Sequence, residues 1–182
     1  MFDFIPPTDH DSFRERINNF LKDLKTHNSD LYGTIKPKSK ATFILAQENS
    51  YQIEGGAILF QQKPSSLHTE VQGYIKDNGH LSESVWAGTL YLHFEDEIQG
   101  HIFESLCKVF YQYLYESLLT FGVQEQTSFL CLTLDPCEHL STELIGLWPY
   151  KVQVRHRESP DGLFHGVLAL TGNQNKLKGF AA

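Results

Sequence analysis

The feature that most limits the fold is a long apolar helical pattern followed at once by an apolar strand. From Gly100 to Phe121, the residues Ile102, Phe103, Leu106, Val109, Phe110, Tyr113, Leu114 and Leu118 recur at helical spacing. A stripe that wide has to be buried against a sheet. Gly122 follows, where a left-handed C′ residue would close the helix. Ser128 to Leu134 (SFLCLTL) is apolar almost throughout, which suits a central strand covered on both faces. A helix leading into such a strand is the mark of an α/β chain.

The rest of the sequence supplies more elements of both kinds. Met1 to Ile5 reads as an edge strand stopped by Pro6-Pro7. Phe13, Ile17, Phe20, Leu21 and Leu24 then repeat as on a helix, with Thr8, Asp9 and Asp11 as N-cap candidates and an end near Asn28. Ala41–Ala46 and Tyr51–Phe60 read as an antiparallel hairpin. Its Gly55-Gly56 pair marks either a bulge or a close approach by another backbone. Residues 61–84 are polar, with Val71–Ile75 read as a short strand. Val85–Phe94 (VWAGTLYLHF) is a strong strand. Asp135-Pro136 opens a short helix that Pro149 stops. Lys151–Arg157 and Leu163–Leu170 form a terminal hairpin around Pro160-Asp161-Gly162. Neither a repeat nor a linker divides residues 1–182, so a single domain is expected.

Composition narrows the partners. The chain has 182 residues and a formal charge of -7, from 22 acidic and 15 basic residues. That balance argues against a nucleic-acid backbone as partner, since such sites cluster Lys and Arg. Lys36, Lys38 and Lys40 form a short solvated run. Cys107, Cys131 and Cys137 are odd in number and lack CxxC spacing, which points to packing residues rather than disulfides or zinc. The N-terminus lacks the pattern of a signal peptide, and there is no apolar run of about 18 residues. A soluble cytoplasmic protein with no membrane partner is expected.

Three segments carry a resemblance to a known family. Phe43-Ile-Leu-Ala-Gln-Glu…Ile53-Glu-Gly-Gly-Ala-Ile-Leu-Phe60 reads as apolar strand, turn, I-x-G-x-A. Leu132–Tyr150 (LTLDPCEHLSTELIGLWPY) matches without a gap a pattern L-x-V-x-x-x-N-x-x-A-x-x-x-Y-x-x-x-G-F, with Glu138, Ser141, Pro149 and Tyr150 at its Asn, Ala, Gly and Phe. Leu90–Glu104 stands where a strand leads into a Q/R-x-x-G-x-G/A loop. In these segments and in element order the chain resembles the Gcn5-related N-acyltransferases. The resemblance implies a mixed α/β (α+β) sheet, an acyl-CoA N-acyltransferase fold, and acyl transfer from acetyl-CoA or another acyl-CoA to an amine of a small molecule or protein. It leaves a homodimer open.

The resemblance also implies where the chemistry lies. Acyl-CoA would lie along Leu92, His93 and Phe94 and at the loop and helix start formed by Gln99, Gly100, His101 and Ile102. There, unpaired helix N–H groups and the dipole favour an anion. His93, at the strand end, is the best placed base, and its ordinary pKa of about 6.5 suits proton shuttling. Glu95 and Glu70 are further catalytic candidates, with His68 beside Glu70. Two departures stand out. Ile102 and Glu104 replace small loop residues, and Ile145 occupies the position of a Tyr that often protonates the leaving thiolate. A non-catalytic binding or regulatory protein on the same fold is therefore the competing reading. A synthase of the acyl-homoserine-lactone type ranks third, because its Arg, Trp and Asp pattern is not visible in the N-terminal third. His93, Glu95 and His101 lack the spacing of a metal motif, so no metal is expected.

Overall fold

In a computed structural model, the structure describes residues 2–35, 40–47, 53–78, 82–94, 100–135, 148–155 and 162–170. At 53, 54, 94 and 100–104 it describes the backbone alone. Strands β1 (Phe2–Ile5), β2 (Thr42–Ala46), β3 (Ile53–Gln62), β4 (Val85–Phe94), β5 (Phe129–Leu134), β6 (Tyr150–Val154) and β7 (Leu163–Ala169) form one sheet, in the order β1-β2-β3-β4-β5-β7-β6. Neighbours pair antiparallel except β4 and β5, which run parallel from Ala87↔Cys131 to Leu90↔Leu134. A parallel pair needs a crossover, and helix α4 (Gly100–Gln124) supplies it.

Alternation along the strands sends side chains to two cores. Ile44, Ala57, Leu59, Leu90, Leu130, Leu132 and Leu168 pack under Phe110, Leu114, Leu118 and Phe121 of α4. Phe43, Leu45, Ile58, Phe60, Ala87, Tyr91, Cys131 and Val167 face the other layer. That layer is built from α1 (Arg14–His27), α2 (Ser29–Gly33) and α3 (Thr69–Asp77). The expected mixed sheet, its edge strand β1 and its terminal hairpin are all present. Arg16 of α1 clamps the edge strand. It donates to Asp3 of β1 and to the carbonyls of Leu45 and Ala46 on β2.

Three local readings need correction. Val71–Ile75 lies in helix α3, not in a strand. Val71 and Ile75 are its buried residues, one helical turn apart, and that i, i+4 spacing outweighs their β-branched character. Gly122 does not end α4. It lies inside the helix, where a Cβ would come within 2.5 Å of Leu170 Cδ1, so it provides space for packing. The left-handed residue after the helix is Gln126, with φ 51°. No side chain caps α1 at Phe13, and Pro7–Asp9 form a 3-10 turn instead. The helix expected after Asp135-Pro136, like Cys137 and Ile145, lies outside the described residues.

The Gly55-Gly56 pair answers to close approach. A Cβ on Gly56, whose φ is 155°, would fall 2.0 Å from the Ile44 carbonyl oxygen on the neighbouring strand. A Cβ on Gly55 would fall 2.7 Å from Phe110 Cζ, so the pair lets α4 and β2 close onto β3. Among the described residues no helix is long and apolar enough to cross a membrane.

Candidate functional site

The β4–β5 ladder ends at Leu90↔Leu134, where β5 itself ends. β4 continues to Phe94, paired with β3 as far as Ile53↔Phe94. Helix α4 begins at Gly100, six positions beyond Phe94. The two parallel strands therefore stop sharing hydrogen bonds at their carboxyl ends, and from one of them the chain leads to the start of α4. Crevices outside the carboxyl ends of strands are where α/β sheets take ligands.

The corner between α1 and α2 lies over this point. Asn28 ends α1 by donating its N–H to the Leu24 carbonyl at 2.8 Å. Its side-chain oxygen then accepts from the Leu31 N–H at 2.8 Å and starts α2. Its side-chain nitrogen donates to Asp135, the residue after β5. One turn earlier, Asp23 and His27 share a face of α1, and His27 Nδ1 lies 3.0 Å from Asp23 Oδ1. Tyr91 Oη of β4 donates to Asp23 Oδ2 at 2.7 Å. The rings of His27 and His93 stack at 3.9 Å between centroids, 21° from parallel. The corner is thus tied to the ends of both parallel strands.

A second polar region lies on the same face, nearer the middle of the sheet. A cavity of about 310 Å³ opens between α2, the segment before α3, and strands β3, β4, β5 and β7. His68, Thr133 and His165 are among its lining residues. Thr133 Oγ1 and His165 Nδ1 are 3.0 Å apart, and the His68 and His165 rings stack at 5.1 Å. His68 Nδ1 is buried and finds no hydrogen-bond partner among the described residues. Thr34, which also lines the cavity, has its hydroxyl 2.9 Å from that of Thr89. Cys131 lies at the floor, 4% exposed, and burial pushes its thiol up to about 12. A thiol held protonated in this way is a packing group, not a nucleophile.

The residues nominated from sequence fall in different places. Leu92 and His93 stand on the part of β4 beyond the ladder, and His93 meets His27. Phe94 ends that strand, and Gly100, His101 and Ile102 open α4; for these four the backbone alone is described. Glu95 and Gln99 lie outside the described residues. Glu70 is exposed on α3 and accepts from Tyr150 Oη at 3.4 Å. Burial, together with the charge and hydrogen bond of Glu70, raises the Tyr150 hydroxyl above its ordinary value. Tyr150 is on β6, three strand positions from β4, which is roughly 14 Å at the usual spacing of about 4.8 Å. Glu70 and His93 are therefore not brought together, whereas His68 shares the cavity with His165.

Sequence reasoning missed Asp23, His27, Tyr91, Thr133 and His165. For the first two a signal existed, since Asp23-x-x-x-His27 is one turn of a helix that the apolar spacing had already located. For Thr133 and His165 none existed, because their meeting depends on the register of β5 with β7.

No protein-family model and no curated protein matches the sequence. Solved structures do. A CoA-dependent acyl-homoserine lactone synthase, MesI, superposes with a TM-score of 0.51 at 11% identity, over 100% of this chain and 96% of its own. FeeM, an N-acyl amino acid synthase from uncultured soil microbes, gives 0.46 at 12% identity, over 96% and 98%. AtaT, complexed with acetyl-methionyl-tRNAfMet, gives 0.40 at 11% identity, over 91% and 92%. The chain has the mixed α/β fold of the Gcn5-related N-acyltransferases. At these identities the likeness concerns the fold, and activity has to be argued from the site.

Proposed function

We propose that the protein is an acyl-CoA-dependent N-acyltransferase, moving an acetyl or longer acyl group to an amine of a small molecule or protein. The observation that carries this reading is the end of the β4–β5 ladder at Leu90↔Leu134, with β4 running on to Phe94 and α4 starting at Gly100. A pantetheine arm suits the edge of β4 beyond the ladder. The diphosphate suits the first turn of α4, whose residues carry no acid.

His93 is the base in this reading. Supporting that choice, His93 lies on the stretch of β4 beyond the ladder and stacks on His27 of the Asp23–His27 pair. The β4 backbone N–H groups stabilise the oxyanion as nitrogen bonds to the carbonyl carbon. His93 takes the amine proton and, as the C–S bond breaks, returns it to sulfur. That route needs no tyrosine at the position of Ile145. Glu95 is the second candidate, and Glu70 suits an acceptor reaching across from the cavity. His68, Thr133 and His165 give that cavity polar groups to orient an acceptor.

One observation favours the competing reading of a protein that binds without turnover. The α1–α2 corner is tied to Asp135 and stacked on His93, across the mouth of the crevice. Calorimetry with a series of acyl-CoAs, followed by thiol release across an amine panel, separates the two. Amine-dependent release supports the transferase. Binding without release supports the regulatory protein, and absence of binding overturns both.

A further inference from the structure

We propose that Asp23, His27 and His93 form a binding site for a divalent transition-metal ion of the zinc, cobalt or nickel kind. Each offers one donor atom, and those atoms all lie within 4.8 Å of one another. The geometry comes from two rigid elements: Asp23 and His27 stand one turn apart on α1, and His93 faces them from β4.

Two imidazoles and one carboxylate favour borderline transition ions over magnesium or calcium, which prefer all-oxygen shells. Asp23 Oδ1 and His27 Nδ1 are 3.0 Å apart, close to the spacing of two ligands on one small ion, and because Nδ1 also lies 3.1 Å from the Asp23 backbone oxygen, binding through it would release a proton. Tyr91 Oη holds the other carboxylate oxygen at 2.7 Å, leaving Oδ1 turned toward His27. Such an outer hydrogen bond orients a ligating carboxylate and is worth about tenfold or more in affinity. Asp23 and His27 side chains are 20% and 42% exposed, so an ion can enter and keep water in its remaining positions. The two rings stack at 3.9 Å and 21° from parallel, so the ring planes must open for both to aim a nitrogen lone pair at one ion. No local motif announces the set, because His93 is far from the α1 pair in sequence.

The inference stands apart from acyl transfer, since an ion on His93 would occupy the lone pair that the base role needs, and its test uses no acyl-CoA. The full-length protein is stripped with a chelator and titrated with Co²⁺, followed by visible absorption and calorimetry. One ion per chain is expected, with the histidine ring signals of His27 and His93 shifting together in NMR spectra. His27→Gln, His93→Gln and Asp23→Asn, which remove ligands, should each weaken binding about a hundredfold or more, and Tyr91→Phe, which removes only an outer hydrogen bond, about tenfold. His68→Gln, at the cavity histidine pair, should leave it unchanged. Absence of Co²⁺ binding by folded wild-type protein overturns the proposal. So does equal binding by wild type, His27→Gln and His93→Gln, each shown to be folded by circular dichroism.

Discussion

Tyr91 Oη donates a hydrogen bond to Asp23 Oδ2 at 2.7 Å, joining the central strand β4 to helix α1 through a residue that is only 5% exposed. The same carboxylate holds His27 through its other oxygen, so one side chain links strand, helix and histidine stack. Removing the phenol oxygen leaves the ring packed and the carboxylate with one partner fewer. Tyr91→Phe should cost roughly 1–2 kcal/mol in urea unfolding, as charge-assisted hydrogen bonds do. An unchanged midpoint would mean that water replaces the phenol without loss.

If His93 is the base, His93→Gln should lower kcat about a hundredfold, the usual worth of a positioned proton acceptor. Acyl-CoA affinity should stay within about twofold, since Gln keeps the β4 backbone and most of the side-chain volume. Turnover and calorimetric binding measured side by side check this. Loss of both together would point to folding rather than chemistry.

Asp3 gives the edge strand an acid-sensitive clamp. Partial burial pushes its carboxyl up, but hydrogen bonds from Gln47 and Arg16 and the Arg16 charge outweigh this and hold it below its ordinary value of 3.8. A carboxyl lowered in the folded state stabilises that state fully above its unfolded value and loses the contribution as pH falls through the folded one. The stability difference between wild type and Asp3→Asn should therefore be constant near neutrality and shrink below about pH 4. Because the pair is partly exposed, the difference should not exceed about 1 kcal/mol. Thermal unfolding of both proteins from pH 7 to pH 3 measures it.

Cys131 should resist alkylation in the native protein. With the thiol pushed up to about 12, its thiolate fraction near pH 8 is on the order of one in ten thousand. Iodoacetamide labelling read by peptide mass spectrometry should find Cys131 unmodified in buffer and modified in denaturant. Rapid native labelling would show that the cavity above it opens readily.

Gly56→Ala should prevent folding or cost more than about 3 kcal/mol. Its Cβ would fall 2.0 Å from the Ile44 carbonyl oxygen, and neither backbone can retreat without breaking the β2–β3 ladder. Gly73→Ala on α3 is the matched control. A Cβ there meets nothing within 4 Å, and alanine favours the helix by about 1 kcal/mol. Soluble yield and melting temperature of the two variants should move in opposite directions.

The sheet was legible because alternation and apolar runs state directly which residues face inward. Val85–Phe94 was bounded correctly from the sequence alone. Helix α3 was not, because Gly73 weakens its helical signal and only Val71 and Ile75 reach the core. His93 could be nominated from the sequence because it stands one residue before the end of a strand whose bounds were clear. Asp23 and His27 stayed hidden because they are polar residues on a helix that was read for its apolar side. The meeting of His165 with Thr133 and His68 depends on strand order, which pattern within a segment does not carry.

The parallel ladder from Ala87↔Cys131 to Leu90↔Leu134 also bears on how the molecule assembles. On one side of it β1 to β4 pair antiparallel among themselves, and on the other β5, β7 and β6 do the same. The pairings within the halves, such as Phe2↔Ala46 and Phe129↔Ala169, span stretches of chain comparable to the one that α4 carries across the joint. No part of the sheet is therefore favoured by short-range pairing alone, and the crevice, bordered by one strand from each half, exists only where both halves meet along this short seam.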